Sequence, residues 1–352
     1  MPLPRAVPEQ LGFAGMPERL FVCTPSKLGA FADCPRRYRF TYVDRPSPPR
    51  GAPWAHTSLG ASVHTALKNW YALSDDRREP GALPTLLKAT WVREGYRDSD
   101  QERATYRRAL GWLESYVATL DPQDEPLGVE RVVATKTAVL AFNGRADRID
   151  SRRGPDGPEA VIVDYKTGRW GMDADDARGS QALALYAYAA QRVFRRPCRR
   201  VELHHLPTGT VASHEHTDES LARQMSRAED TARDIMAAEK AVAAGADPDQ
   251  EFPVNPGTLC QWCDFRRSCP AGAVCLDLDP SLDHLRPVLA QMFSQWIDLI
   301  ASHVDLGDAR RSQSFAGLVL TAIEGAYIRC RAERSGRAFR EAGTWLSALA
   351  SA

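Results

Sequence analysis

Nowhere in this chain is there a run of about 18 apolar residues, the length a helix needs to cross a bilayer. The opening MPLPRAVPEQ also lacks the apolar stretch of a secretion signal. Both absences point to a cytoplasmic protein with no membrane partner. Net charge is missing too. Forty-five basic residues balance 45 acidic ones, so no global field draws the chain onto a polyanion, and any contact with nucleic acid has to use local clusters. Neither G-x-x-x-x-G-K-[ST] nor G-x-G-x-x-G occurs, which argues against an internal ATP motor or a dinucleotide site. Lysine is scarce, six of the 45 basic residues, so Lys166 stands out.

What is present suffices for two domains, or one large domain with an appendage: 352 residues, 43% of them hydrophobic. Thr24-Pro25 reads as an N-cap and N1 proline opening a short helix that stops near Cys34-Pro35. From Ser58 a second helix carries Val63, His64, Leu67 and Trp70. Two more helices follow SDDRREPGALP, and Leu110, Leu113, Val117 and Leu120 recur at helical spacing in the second. The texture then turns to strands, from about Val129 to Phe142, Gly144 to Asp150 and Ala160 to Tyr165, with SRRGPDGPE as a hairpin loop. The helix QALALYAYAAQRVF, a hairpin of RRVELHHL and VASHEHT, and the helix from Leu221 to Gly245 complete an α/β domain.

GRADRID at 144–150 and VIVDYKTG at 161–168 carry the chemistry. Alternate side chains of a strand share a face, so Asp164 and Lys166 point the same way. If Asp147 approaches Asp164 from the neighbouring strand, two carboxylates converge, which is costly unless a cation lies between them. Mg²⁺ or Mn²⁺ suits such an oxygen site, and Lys166 could orient a water and steady charge on a phosphoryl group. The plain alternative is a cross-strand salt bridge on a half-solvated sheet. Gly144 and Gly168 flank the pair and would let backbone approach a ligand.

Together with Leu59-Gly60-Ala61-Ser62-Val63-His64, these motifs resemble the PD-(D/E)XK nuclease superfamily, in particular its RecB-like exonuclease branch, over roughly Phe21 to Ala273. The resemblance implies an α/β fold, a central mixed sheet flanked by helices in a restriction-endonuclease-like core. It implies a metal-dependent DNA exonuclease acting on single-stranded ends in repair or recombination. His64, Asp147, Asp164 and the backbone carbonyl of Tyr165 would hold Mg or Mn, with Lys166 as the catalytic lysine. The family's following helix presents Q-x3-Y, whereas Gln181 here precedes Tyr186 by one position too many. Alignment on the tyrosine puts Ala182 where the glutamine belongs, which leaves substrate positioning in doubt. The alternative is a noncatalytic DNA-binding or assembly module that keeps the fold. Arg36, Arg37, Arg195 and Arg196 are candidates for phosphate contacts. Without a motor, a separate helicase subunit is the expected partner.

Cys260, Cys263 and Cys269 form C-x2-C-x5-C, three thiolates of a four-ligand cage, and Cys34 is the candidate fourth. Four thiolates could hold zinc or a [4Fe-4S] cluster, and spacing alone leaves both open. Leu28, Phe31, Cys34, Pro35 and Tyr38 match a helix of iron-sulfur RecB-like nucleases, including the AddB nuclease domain and CRISPR-associated exonucleases, so the resemblance implies [4Fe-4S]. Cys23, Cys198, Cys275 and Cys330 read as buried thiols, Cys275 with a second reading as a spare ligand.

The expected division is an N-terminal extension 1–20, a nuclease domain 21–278 and an all-α tail 279–352. Leu285, Leu289, Phe293, Trp296, Ile297 and Ile300 mark one tail helix. Phe315, Leu318, Val319, Ala322, Ile323 and Ala326 mark a second, and Ala338 to Leu349 a third. The last two are similar to the closing helices of TetR-family regulators, which implies a homodimer interface.

Overall fold

The computed structural model describes residues 20–154, 157–269, 286–333 and 335–350. The expected extension up to residue 19, Cys275, Leu285 and the boundary at 278 lie outside the described residues, as does the side chain of Leu289.

The chain divides into two compact units, one running to Ala32 and from Trp54 to Glu251, the other made of Asp33–Pro53 and the residues from Phe252 onward. The first unit holds a six-stranded mixed sheet. Its strands are β1 (Phe21–Cys23), β2 (Gly128–Lys136), β3 (Leu140–Gly154), β4 (Gly157–Lys166), β5 (Arg200–His205) and β6 (Thr210–Glu215). The order is β1-β3-β4-β5-β6, with β2 on the other flank of β3. Pairing is parallel between β1 and β3 and between β4 and β5, and antiparallel elsewhere. The strands expected at 129–142 and 144–150 are divided differently. Thr137 ends β2, its hydroxyl accepting the N–H groups of Val139 and Leu140 at 3.2 Å each, and Asn143 lies inside an unbroken β3. A hydroxyl makes this turn without glycine or proline, so the usual signal is absent.

Helix α1 (Pro25–Asp33) opens as expected, with Thr24 Oγ1 accepting the Lys27 N–H at 3.1 Å. Helix α3 (Ala55–Tyr71) buries Leu59, Val63, Ala66, Leu67 and Trp70, a stripe at helical spacing. It packs with α4 (Leu83–Thr90) and α5 (Ser99–Val117) over Val161, Val163 and Tyr165 of β4. Those three alternate residues cover one face of the sheet. The remaining helices of this unit are α6 (Ala174–Gly179), α7 (Gln181–Phe194), α8 (Asp218–Ala243) and α9 (Pro248–Glu251). Helix α7 buries Leu183, Ala184, Leu185, Ala187, Ala189 and Ala190 and contacts β2, β3, β4 and β5.

In the second unit α2 (Pro35–Tyr42) places Tyr38 in a stack with Phe252, ring centroids 6.0 Å apart, and Phe40 edge-on to Phe265 at 5.4 Å. Arg36 is buried and its Nε donates to the Phe252 carbonyl at 2.8 Å. The tail forms α10 (Arg286–Ser302), α11 (Ala309–Glu333) and α12 (Arg337–Ala350), with α11 packed against both others. Among the described residues no helix is long and apolar enough to cross a membrane.

Candidate active site

The ladder between β3 and β4 stops at Arg148 opposite Val163. The next positions in register, Asp147 and Asp164, lie in the fork where the strands part. In place of a ladder bond, Asp147 Oδ2 accepts the Tyr165 N–H at 2.9 Å. On the other flank the β2–β3 ladder passes from Val129 opposite Arg148 to Arg131 opposite Ala146, so Glu130 stands across from Asp147. Three carboxylates, Glu130, Asp147 and Asp164, therefore sit abreast on three strands, an arrangement of like charges that calls for cations.

His64, Glu130 and Asp147 offer ligand atoms all within 4.8 Å of one another. His64 Nδ1 lies 3.3 Å from Asp147 Oδ2, and Nε2 donates to the Tyr165 carbonyl at 3.1 Å. Burial opposes the imidazolium, but the hydrogen bond and charge of Asp147, with the charges of Asp164 and Glu130, hold its pKa above the ordinary value. Lys166 Nζ is 2.6 Å from Asp164 Oδ2. A carboxylate oxygen so paired still has a lone pair for another partner. Burial raises the Asp164 pKa, and the Asp147 charge adds to the rise against the pull of Lys166. A buried carboxylate beside a histidine and two further carboxylates is a donor set that fits a hard divalent cation.

Glu130 escaped the motif reading. It also has φ 49, a left-handed conformation uncommon outside glycine. Arg145 pairs with it at 2.7 Å. The only sequence signal for it would have been the β2–β3 register, hidden by the glycine-free turn at Thr137.

Tyr186 borders the site. Burial, then the charges of Asp164 and Asp147, push its pKa up to about 12, so it stays a neutral hydroxyl. Its ring packs over Gly144, where any Cβ would collide with it. Gly144 thus serves the approach of a tyrosine. Beside Gly168 a Cβ would meet only open space. Gln181, first residue of α7, makes no hydrogen bond to these groups.

Behind the fork, on the face of Tyr165, Arg148 grips Asp150 with two bonds of 2.7 and 3.0 Å and donates to the hydroxyls of Tyr71, Tyr116 and Tyr165 at 2.6, 3.0 and 3.2 Å. Tyr116 continues to His204 at 2.7 Å and His204 to Glu202 at 2.9 Å. Arg152 closes the ring, forking Glu202 at 2.7 and 2.8 Å and reaching Asp150 at 3.3 Å. Tyr165 belongs to both systems, its hydroxyl in the ring and its backbone holding Asp147 and His64.

Of the candidate phosphate contacts, Arg36 is a correction: its buried guanidinium serves the second unit's packing. Arg37 is half-buried and pairs with Asp33 at 3.3 Å. Arg195 caps α7 with φ 52, and Arg196 reaches Ser151 at 3.3 Å.

Cys34, Cys260, Cys263 and Cys269 all belong to the second unit. Among the described residues no three of their sulfurs lie mutually within 4.8 Å. Burial raises the Cys263 pKa, with Cys269 and Cys34 adding to the rise through their charges, so these thiols are in electrostatic reach. The Asn255 N–H donates to Cys34 Sγ at 3.4 Å. Cys23 and Cys198 are buried thiols, as expected, with pKa values pushed up to about 11 and 12 by desolvation. Cys330 is only half-buried.

Residues 22–270 match the PD-(D/E)XK nuclease superfamily. Residues 258–344 are similar to the C-terminal domain of LmrA/YxaF-like transcriptional regulators. Among solved structures the chain is similar to a protein of Eubacterium rectale assigned as an exonuclease, with 14% identity, 68% of this chain and 86% of that one covered, and a TM-score of 0.38. It is also similar to SSO0001, with 16% identity, coverage of 72% and 89%, and a TM-score of 0.32. No curated protein matches the sequence.

Proposed function

Because the chain belongs to the PD-(D/E)XK nuclease superfamily, we propose that it is a divalent-metal-dependent deoxyribonuclease that shortens single-stranded DNA ends, working beside a separate helicase in repair or recombination. The observation that carries this reading is the fork itself: Glu130, Asp147 and Asp164 abreast, His64 above them and Lys166 alongside.

In this reading His64, Glu130, Asp147, Asp164 and the Tyr165 carbonyl hold Mg²⁺ or Mn²⁺. Bound there, the ion would supply Lewis-acid stabilisation and a water of lowered pKa. Lys166, a cation beside the carboxylates, donates to the scissile phosphoryl group and stabilises its growing negative charge. Tyr186 offers a neutral hydroxyl to the substrate backbone, a role that does not depend on the displaced Gln181. The Tyr165 backbone fixes Asp147 and His64 in mutual register.

The four cysteines hold a [4Fe-4S] cluster in this proposal. What supports it is the resemblance of the cysteine pattern, and the Asn255 N–H aimed at Cys34 Sγ is a usual means of tuning such a cluster. The tail would form a homodimer through its apolar surface, where Trp345 is 72% exposed and Leu299, Leu318 and Leu349 are exposed as well.

The test is Mn²⁺-dependent shortening of an end-labelled single strand by the purified protein, with loss on Lys166→Ala and binding retained. Full activity of Lys166→Ala rejects the mechanism. Binding without shortening by the unaltered protein replaces it with the noncatalytic module.

A further inference from the structure

A cavity of about 700 Å³ in the sheet-bearing unit opens between α4 and α5, away from the carboxylates. Ser99, Glu102, Arg103, Tyr106 and Arg107 line it from one face of α5, at spacings of three and four residues. Lys88, Trp91 and Arg93 close it from α4 and the loop that follows. Trp91 and Tyr106 meet at 80° with ring centroids 5.0 Å apart, an apolar corner backed by Tyr96, which stacks on Trp91 at 5.7 Å. Four cations face one carboxylate in the lining. Arg93 pairs with Glu102 at 2.9 Å and Arg103 with Asp100, while Lys88 and Arg107 are exposed and have no ion pair among the described residues.

An aromatic corner beside two uncommitted cations matches a flat heterocycle joined to a phosphate. The corner is also held firmly. Trp91 packs on the main core, and the Val92 N–H donates at 2.9 Å to Oγ of Ser62, a buried residue of α3 two positions before His64. Two positions on a helix turn a side chain through about 200°, so the cavity lies behind α3 as seen from the ring of His64.

The geometry points to a remote nucleotide subsite: the α4–α5 cavity takes one base of the substrate strand in the Trp91–Tyr106 corner and its phosphate on Lys88 and Arg107. The identity of the strand rests on the nuclease reading. The subsite anchors single-stranded DNA away from the carboxylates, and stacking makes it tolerant of sequence.

The experiment measures binding separately from cutting, by fluorescence anisotropy of a labelled 20-nucleotide oligo-dT in Ca²⁺ on the Lys166→Ala background. Each phosphate contact to a single strand contributes a salt slope of about 0.7. Lys88→Gln with Arg107→Gln removes both charges from that one phosphate and is expected to lower the slope by about 0.7 and to weaken binding about 5-fold at 0.1 M salt. Tyr106→Leu keeps an apolar filler and is expected to weaken binding at least about 5-fold with the slope unchanged, because stacking releases no counterions. Arg223→Gln with Arg227→Gln, an exposed pair on α8, removes the same charge elsewhere. Equal weakening by that control, or unaltered binding by the Lys88/Arg107 variant at a matched melting temperature, overturns the subsite. Shortening by protein with Lys166 intact tests the nuclease reading separately, so a protein that binds through this cavity and never cuts overturns only the latter.

Discussion

Replacing Arg148 by methionine is expected to destabilise the sheet-bearing unit by about 4 kcal/mol. Methionine keeps the apolar stem and removes the guanidinium, which is only 4% exposed and makes five bonds. Summing five charge-assisted bonds would overstate the loss, because Tyr116 retains His204 and Asp150 retains Arg152 at 3.3 Å. The dominant cost is a mostly buried carboxylate deprived of its bidentate partner, about 3–5 kcal/mol. In a unit of this size that lowers the melting temperature by roughly 8–16 °C. Arg148→Lys keeps the charge but cannot fork two oxygens, so about half the loss is expected. Urea unfolding followed by circular dichroism gives both values, with m unchanged if only stability has moved. A loss under about 1 kcal/mol for methionine, or lysine as damaging as methionine, would refute the claim that this guanidinium organises the ring.

Four further outcomes are expected. Asp164→Asn and Glu130→Gln should each raise the Mn²⁺ concentration needed for half-maximal shortening by about 10- to 100-fold, and an unchanged metal requirement in both removes them as ligands. Acid should weaken the fold in two stages. His216, lowered to about 4 by burial and then His214, stays neutral when folded, so stability falls as pH drops from 6.5 toward 4, by at most about 3 kcal/mol, and His216→Asn should lack that stage. Burial of Glu202 is outweighed by its bonds from His204, Arg152 and Arg200, which hold it below the carboxylate range, so its contribution is present above about pH 4.5 and lost below it. Anaerobically purified protein should be brown, absorb near roughly 400 nm and lose that band in Cys263→Ser; colourless protein carrying one zinc per chain contradicts the cluster. Light scattering should give the mass of a dimer that Trp345→Glu with Leu349→Glu reduces to a monomer, and a monomeric starting protein defeats the tail interface.

Much of the candidate site's geometry was legible because strand alternation is short-range. Asp164 and Lys166 share a face whatever surrounds them, and the linear motifs supplied His64 and Asp147. Glu130 was not legible, since its place depends on a register set by the Thr137 hydroxyl, which carries none of the glycine or proline marks of a turn. Arg36 misled for a related reason. Adjacent arginines on a short helix look solvated, and only the long-range return of Phe252 turns one of them inward. That Cys34 shares a unit with Cys260, Cys263 and Cys269 spans too much sequence for spacing alone to reveal.

The second unit is discontinuous, and that shapes how the protein is made. Arg36 waits for a partner 216 residues downstream, and the rings of Tyr38 and Phe40 wait for Phe252 and Phe265. At about 5–20 residues per second, the ribosome needs roughly 10–40 s to deliver that partner. During that interval the nascent α2 segment leaves the exit tunnel with its aromatic side uncovered, a natural target for chaperones and proteases. A stop codon anywhere before Phe252 therefore yields a chain that cannot bury those rings, however well its sheet has formed.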